Sequence, residues 1–154
     1  MTLPGNNDET FALTIPWDLQ AIGDLIEQMQ TLGQQRRWTP SLLHKAVLVV
    51  EELVVNALTY GGQQRNTGIL QIQLLEQADQ LCIDIYDNGE AFDPLSLAEP
   101  DVDADLDSRG IGGLGVFLVR ELSTVCRYER KDGMNHVHLS LARDDDFGHR
   151  SHET

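Results

Sequence analysis

The alternation of hydrophobic and polar positions divides the first half of the chain into one strand and two helices. Residues Thr10 to Ile15 alternate apolar and polar side chains and predict a strand with one buried face. From Asp18 to Gln35, apolar residues recur at helical spacing and predict an amphipathic helix. Thr39-Pro40 offers an N-cap followed by a proline at the first helical position, so a second helix is predicted from there to Gly61-Gly62.

The second half of the pattern predicts two hairpins separated by a loop and a helix. The elements are strands around residues 70–74 and 81–85, a helix over 113–124, and strands around Val125–Arg130 and Asn135–Leu141 that meet at Asp132-Gly133. The order is therefore βααββ, loop, αββ. Hairpin strands with helices on one face predict an α+β two-layer sandwich with a mixed, mostly antiparallel sheet, rather than a doubly wound parallel sheet.

Length and charge restrict the function classes. The chain has 154 residues, of which 41% are hydrophobic, which suits one domain with one core. We expect this domain to span 10–142, after a flexible segment 1–9 and before a disordered tail 143–154. The formal net charge of −14 disfavours direct binding to nucleic acid. A bound nucleotide would need backbone amides and Mg²⁺ to offset this negative field.

The cysteines and the hydropathy indicate a cytoplasmic protein. Cys82 and Cys126 lie in apolar segments without a C-x-x-C partner, so we expect buried free thiols in place of a disulfide or zinc site. The first ten residues are polar and acidic, and no run of 18 apolar residues occurs. We therefore expect no membrane association.

The segment Arg109–Gly115 places four glycines directly before Val116–Leu122, the apolar part of the third predicted helix. Glycines let the backbone approach a ligand closely, and the first helical N–H groups have no intrahelical partner, so this junction favours an anion such as phosphate. The spacing also fits the dinucleotide fingerprint G-x-G-x-x-G, but an acidic loop precedes it where that fold requires a buried strand. A glycine-rich loop without any ligand is the remaining alternative.

Two polar side chains lie one helical turn apart on the second helix. Glu52 and Asn56 are stacked beside an apolar stripe, where a carboxylate and an amide lose hydration. The pair is explained if it meets a metal ion, water or another polar partner. A solvated helix face is the alternative, and the spacing alone does not decide between them.

The triplet Asp87-Asn88-Gly89 follows a strand with clean alternation. One interpretation is a turn with Gly89 in the left-handed region. The other is that Asp87 accepts a hydrogen bond from an amino group such as that of adenine, and that Gly89 leaves space for the base. A single carboxylate does not distinguish adenine from other donors.

The order of these motifs resembles the ATP-binding superfamily of the Bergerat fold. Glu52 and Asn56 come first on a helix, Asp87-x-Gly89 follows at the end of a strand, and after a loop a group of glycines begins another helix. The resemblance covers most of residues 10–142. Within that superfamily, the short form of the domain and three local segments are similar to the bacterial anti-sigma factor serine/threonine kinases. The segments are Asn56–Gly61, Phe92–Pro94, and Gly113-Leu114-Gly115 leading to Leu118-Val119-Arg120.

The resemblance implies a role for each matching residue. Asn56 would coordinate Mg²⁺, Glu52 would act as general base or position the attacking group, and Asp87 would bind adenine beside Gly89. Residues 92–109 would form the ATP lid, and Arg109 would reach the terminal phosphate. The phosphate would bind the turn formed by Gly110, Gly112, Gly113, Leu114 and Gly115. Phosphoryl transfer depends mainly on positioning and charge neutralisation, which these groups can supply.

The chain departs from the family in two places. Asn135 stands where many members carry a threonine, and it can replace that residue as a hydrogen-bonding group. The lid carries an unusually acidic stretch, for which we expect a solvated lid that closes with metal or partner present. Its acidic residues are Glu99, Asp101, Asp103, Asp105 and Asp107.

The resemblance further implies a serine/threonine kinase that phosphorylates a small anti-sigma-factor antagonist and switches between this antagonist and a sigma factor, as a homodimer. Two alternatives stay open. One is a non-catalytic ATP-binding or partner-binding module. The other is a detached histidine-kinase-like ATPase domain, although no helix with a phospho-acceptor histidine precedes the domain.

Overall fold

The computed structural model describes residues 8–62, 68–96 and 113–143. The elements follow the predicted order. They are β1 (Glu9–Ile15), α1 (Ile22–Gln35), α2 (Pro40–Tyr60), β2 (Leu70–Glu76), β3 (Gln80–Asp87), α3 (Gly113–Leu122), β4 (Val125–Lys131) and β5 (Met134–Ala142). Most of the predicted tail, lid and N-terminal segment lies outside the described residues. Arg143, the first residue of the predicted tail, is described, and its backbone N–H donates to the Asp79 carbonyl at 3.0 Å.

Local side-chain chemistry sets the helix starts. Thr39 Oγ1 accepts a hydrogen bond from the backbone N–H of Leu42 at 3.1 Å, which confirms the predicted N-cap of α2. Asp18 accepts a hydrogen bond from the N–H of Gln20 at 2.9 Å, and it caps a short 3-10 turn over Leu19–Ala21 that leads into α1. The regular part of α1 therefore begins four residues after the predicted start.

The last hairpin has the turn that its sequence predicts. Asp132 and Gly133 both have positive φ, 54° and 76°, as a two-residue type I′ turn requires. Aspartate and glycine tolerate this region better than other residues, so the turn fixes the register of β4 against β5.

The five strands form one sheet in the order β1-β2-β3-β5-β4. All four ladders are antiparallel. The sequence predicts a mixed sheet, but the described sheet contains no parallel pair of strands. The predicted α+β class and the two-layer arrangement are confirmed. In each of the two predicted hairpins, sequential strands pair directly, and β5 lies between β3 and β4.

The core lies between one face of the sheet and the helices. Ile72, Ile85 and Val137 are neighbours across β2, β3 and β5, and all three are buried. Val50, Leu53 and other apolar residues of α2 belong to the same buried cluster. Because strand side chains alternate, the intervening residues point to the opposite face, which carries Gln73, Asp84 and His138 in the adjacent register.

Both cysteines are free, as predicted; Cys82 is buried and Cys126 is half-buried. Among the described helices, none has the combination of length and apolar character needed to cross a bilayer.

Candidate functional site

Asp87 is a buried carboxylate at the end of β3. Its Oδ1 accepts hydrogen bonds from Asn135 Nδ2 and from the backbone N–H of Gly89, both at 2.9 Å. Burial raises the pKa of Asp87, while these two bonds and the charge of Arg130 act in the opposite direction. Within the described residues the bonds use Oδ1, which leaves Oδ2 available to a donor in the cavity that Asp87 lines.

Asn135 connects three segments around that carboxylate. Its Nδ2 also donates to the backbone carbonyl of Glu90 at 2.8 Å. Its Oδ1 accepts from the N–H of Phe92 at 3.2 Å and from the Tyr128 hydroxyl at 2.6 Å. The side chain is 3% exposed, so this network lies in a low-dielectric environment that strengthens each bond. Asn135 therefore holds the start of the 90–92 segment against β4 and β5.

Gly89 is required by space rather than by backbone conformation. Among the described glycines, only Gly62 and Gly133 have positive φ, so the interpretation of Gly89 as a left-handed turn residue, one of the two left open above, is wrong. A Cβ at Gly89 would lie 2.7 Å from the Gly61 carbonyl oxygen and 2.8 Å from the Trp17 ring. The segment that follows β3 packs directly on the C-terminal end of α2. This close approach excludes any side chain larger than that of glycine at position 89.

A mostly apolar cavity lies between α2 and the β3–β5 pair, and Asp87 and Asn135 are the two polar residues that line it. Its lining consists of Leu53, Ala57, Ile85, Phe92, Pro94 and Val137 together with Asp87 and Asn135. Phe92 also stacks on Tyr60 with ring centroids 4.8 Å apart. Apolar walls with a few fixed polar groups are typical of sites that bind small molecules.

Asn56 is buried without a hydrogen-bonding partner in the described part of the chain. The residue is 1% exposed, and neither Oδ1 nor Nδ2 is bonded. A buried polar group without a partner is costly, and the great majority of such groups are satisfied in native proteins. The amide oxygen is a ligand type that Mg²⁺ accepts, so the donor available here fits that ion.

Glu52 lies one turn before Asn56 and packs against the first turn of α3. A methyl group placed on Gly115 would overlap the Glu52 carboxylate, so the glycine permits this contact. Burial, and secondly the like charge of Glu51, raise the pKa of Glu52. The structure thus brings a carboxylate with increased proton affinity to the glycine-containing start of a helix.

The structure brings Glu52 against Gly115, and it brings Asp87 against Asn135 and Gly89. It does not describe every predicted position. Arg109, Gly110 and Gly112 lie outside the described residues. Gly113 and Leu114 form the first two positions of α3.

Two supporting residues escaped the sequence analysis. Arg130 donates from Nη1 to the Gly89 carbonyl at 2.7 Å, and Tyr128 donates to Asn135. Both lie on the exposed-looking β4, and only the register that places Arg130 opposite Asn135 reveals their position. A signal was present in the tight Asp132-Gly133 turn, which determines that register.

Comparison with known proteins gives matches along most of the chain. The model of one family, described as "Histidine kinase-like ATPase domain", matches residues 15–141. The serine/threonine-protein kinase BtrW of Bordetella bronchiseptica is 26% identical over 117 residues, which cover 76% of this chain and 82% of that protein.

Two further relatives are named serine-protein kinase RsbW. The protein from Staphylococcus aureus is 29% identical over 97 residues, covering 60% of this chain and 61% of that protein. The protein from Listeria monocytogenes is 27% identical over 94 residues, covering 58% and 60%. The chain therefore spans about three fifths of the length of these RsbW relatives.

A solved structure has the same fold. The crystal structure of RsbU and RsbW domains from Mycobacterium tuberculosis matches with a TM-score of 0.63 at 14% identity, covering 88% of this chain and 33% of that one. At this identity the match bears on the fold alone.

Proposed function

The chain belongs to the histidine kinase-like ATPase domain family, and from this premise we propose that it is a Mg²⁺-ATP-dependent serine/threonine-protein kinase. Its substrate would be a small anti-sigma-factor antagonist. The observation that carries this proposal is the buried amide of Asn56, which has no hydrogen-bonding partner among the described residues. It lies one helical turn after Glu52, whose carboxylate lies against Gly115 in the first turn of α3.

The cavity beside Asp87 is the proposed adenine site. Adenine offers one exocyclic amino group and a flat apolar surface. Oδ2 of Asp87 makes no hydrogen bond with the described residues and suits the amino group, and the apolar lining suits the ring. Asn135 holds the carboxylate in place through the bond to Oδ1, and it lines the cavity beside Asp87.

Asn56 is the proposed Mg²⁺ ligand, through its amide oxygen. The ion would neutralise charge on the triphosphate, which the protein's net charge of −14 otherwise repels. The lack of another partner for this amide supports the assignment, since the group has its hydrogen-bonding capacity unused in the described residues.

Glu52 is the proposed general base or positioning group for the attacking serine or threonine hydroxyl. Its raised pKa makes it a better proton acceptor than an ordinary exposed carboxylate. We assign the phosphate-binding amides to Gly110, Gly112, Gly113, Leu114 and Gly115, and contact with the terminal phosphate to Arg109. The position of Gly115 supports its assignment to the phosphate site, because Gly115 lies against Glu52, the proposed general base.

The partners follow from the kinase-named relatives and from the family resemblance. BtrW and RsbW carry protein-kinase names, and we propose that this chain acts in the same way on a protein substrate. In that circuit it would form a homodimer and switch between the antagonist and a sigma factor, and so regulate transcription.

Calorimetric titration with Mg²⁺-ATP tests the nucleotide site. We expect saturable binding in the wild-type protein and loss of the Mg²⁺-dependent part in Asn56→Ala. Gly23→Ala is a matched control, because a Cβ at Gly23 on α1 meets no atom within 4 Å. Absence of binding in the folded wild-type protein contradicts the proposal.

Phosphoryl transfer is tested with γ-labelled ATP and a candidate antagonist protein. Acid-stable label on serine or threonine, lost in Glu52→Gln with retained ATP binding, is the expected result. Binding without transfer would favour the non-catalytic module, and acid-labile label would favour a histidine kinase-like domain.

A further inference from the structure

The uncovered face of the sheet carries a cluster of three groups that can ligate a metal ion. Asp84 lies on β3, and His136 and His138 lie on β5 two residues apart, so all three point to the side away from the helices. Asp84 is directly opposite His138 in the ladder. The ligand atoms of these three side chains all lie within 4.8 Å of one another. Among the described residues, no other group of three or more His, Cys, Asp or Glu side chains is close enough to hold a metal ion.

The cluster is assembled around one carboxylate oxygen. Asp84 Oδ1 lies 2.6 Å from His136 Nε2 and 2.8 Å from His138 Nδ1. All three side chains are about one-fifth exposed, so they are partly shielded from water but can still be reached from it. Two imidazole nitrogens and a carboxylate oxygen converge on one point.

The surroundings of His136 fix its ring. Tyr86 stacks on the imidazole with centroids 4.3 Å apart and planes 13° apart. Glu129, opposite His136 on β4, lies with Oε1 3.6 Å from Nδ1, the ring nitrogen that does not face Asp84. Histidine ligands commonly donate this second N–H to a carboxylate, which orients the ring and raises the basicity of the ligating nitrogen.

We propose that Asp84, His136 and His138 bind a divalent transition-metal ion of the Zn²⁺ class. The donor set of two imidazoles and one carboxylate suits such an ion and leaves a fourth position for water or a partner's group. Bonds of about 2.0–2.1 Å in a tetrahedral site place ligand atoms about 3.4 Å apart. The two Oδ1···N distances reach this spacing when Asp84 Oδ1 moves away from each nitrogen by less than about 1 Å. The two ligating nitrogens lie within 4.8 Å of each other, so rotation of the imidazole side chains must supply the rest of the adjustment.

This site is distinct from the proposed nucleotide site. Asp87 and Asn135 lie on the helix-covered face, whereas Asp84 and His136 lie on the opposite face of the same strands. The ligands also differ, because Mg²⁺ prefers an all-oxygen set and retains water, whereas imidazole nitrogen favours Zn²⁺, Co²⁺ or Ni²⁺. The inference therefore does not depend on the kinase proposal.

Competition between the nucleotide-free protein and a chromophoric chelator for Zn²⁺ tests the site. We expect one equivalent to bind the wild-type protein near pH 7.5, and binding to be lost in His136→Ala and in Asp84→Asn. The asparagine has the size of the aspartate and keeps a hydrogen-bonding side chain, so it is the milder change to the fold. Glu129→Gln should weaken binding by less than the roughly 10–100-fold that loss of a hydrogen-bonded carboxylate behind a ligating histidine costs, because Oε1 lies 3.6 Å from Nδ1 and the side chain is 62% exposed.

Three controls separate this site from other histidines and from unfolding. His44→Ala removes an exposed imidazole on α2, and His149→Ala combined with His152→Ala removes two near the chain end; both variants should bind Zn²⁺ as the wild-type protein does. Thermal unfolding should show a higher Tm with Zn²⁺ in the wild-type protein and no such shift in Asp84→Asn. Unchanged Zn²⁺ affinity in folded Asp84→Asn and His138→Ala, or no binding by the wild-type protein, would overturn the proposal.

Discussion

Asn135 on β5 donates a 2.9 Å hydrogen bond to Asp87, its direct partner across the β3–β5 ladder. The two residues are both nearly inaccessible to solvent, and they are the polar residues among those that line an otherwise apolar cavity. The bond acts against the effect of burial on Asp87, since it favours the ionised carboxylate. The amide thus supports the charge that the proposed adenine site requires.

Asn135→Ala should lower both stability and nucleotide affinity. The change leaves the Glu90 carbonyl, the Phe92 N–H and the Tyr128 hydroxyl without their shared partner. We expect a loss of about 1–3 kcal/mol in the free energy of unfolding, measured by urea denaturation. Asn135→Asp should be worse, because it places a second carboxylate against Asp87. Equal stability of the two variants and the wild-type protein would contradict this account of the network.

Asp87→Asn should increase the stability of the protein at neutral pH while it weakens the binding of ATP. Burial raises the pKa of Asp87, so ionisation costs more in the folded than in the unfolded state. This penalty is absent below about pH 4, where the carboxyl group is protonated in both states, and it is full above the raised pKa. The variant should therefore have a higher Tm than the wild-type protein at pH 7, and the difference should narrow toward pH 4.

The same variant should bind ATP about 10–100-fold more weakly, because a hydrogen bond to a charged group contributes about 1.5–3 kcal/mol. Thermal scans across pH 4–8 and calorimetry at pH 7 measure the two effects. A variant that loses stability at pH 7 as well as affinity would show that the carboxylate is needed mainly for folding.

Gly115→Ala should abolish phosphoryl transfer, because its methyl group would displace the Glu52 carboxylate from the first turn of α3. Gly23→Ala is the matched change on α1, where the added methyl group meets no atom within 4 Å. That control should stabilise the protein by up to about 1 kcal/mol through helix propensity and leave transfer unchanged. Transfer rates measured with saturating ATP distinguish the two variants, and equal rates would exclude a role for the contact between Gly115 and Glu52.

Glu76→Gln should remove a pH-dependent part of the stability. Burial raises the pKa of Glu76, but hydrogen bonds from Arg36 and from the Trp38 indole N–H outweigh this effect and hold the pKa below its ordinary range. The resulting stabilisation is present above about pH 4 and is lost as the pH falls through the lowered pKa. The variant should unfold more easily than the wild-type protein at pH 7, and the two should converge in acid, as urea titrations would show.

Local signals were sufficient for the element order. The Thr39 cap and the Asp132-Gly133 turn act within a few residues, and each forms as predicted. The amphipathic spacing of α2 likewise placed Asn56 at the edge of the core, although its complete burial depends on elements packed from elsewhere.

Distant packing explains what the sequence did not reveal. Gly89 was interpreted through its own turn, but its constraint comes from the Gly61 carbonyl and the Trp17 ring, which are far away in sequence. The cluster of Asp84, His136 and His138 was missed for the same reason. His-x-His on a strand was visible, but the aspartate enters only through the β3–β5 register.

The alternation of side chains along β5 determines how well this hairpin tolerates insertions and deletions. Asn135 and His136 are adjacent residues on opposite sides of the sheet, one beside Asp87 and the other beside Asp84. Deleting one residue within the preceding turn would shift the strand by one position and exchange its two faces. Polar histidines would then enter the core as apolar residues emerged into water. Point substitutions can change either face of β5 independently. The assignment of its side chains to the two faces, by contrast, depends on keeping the same number of residues in this hairpin.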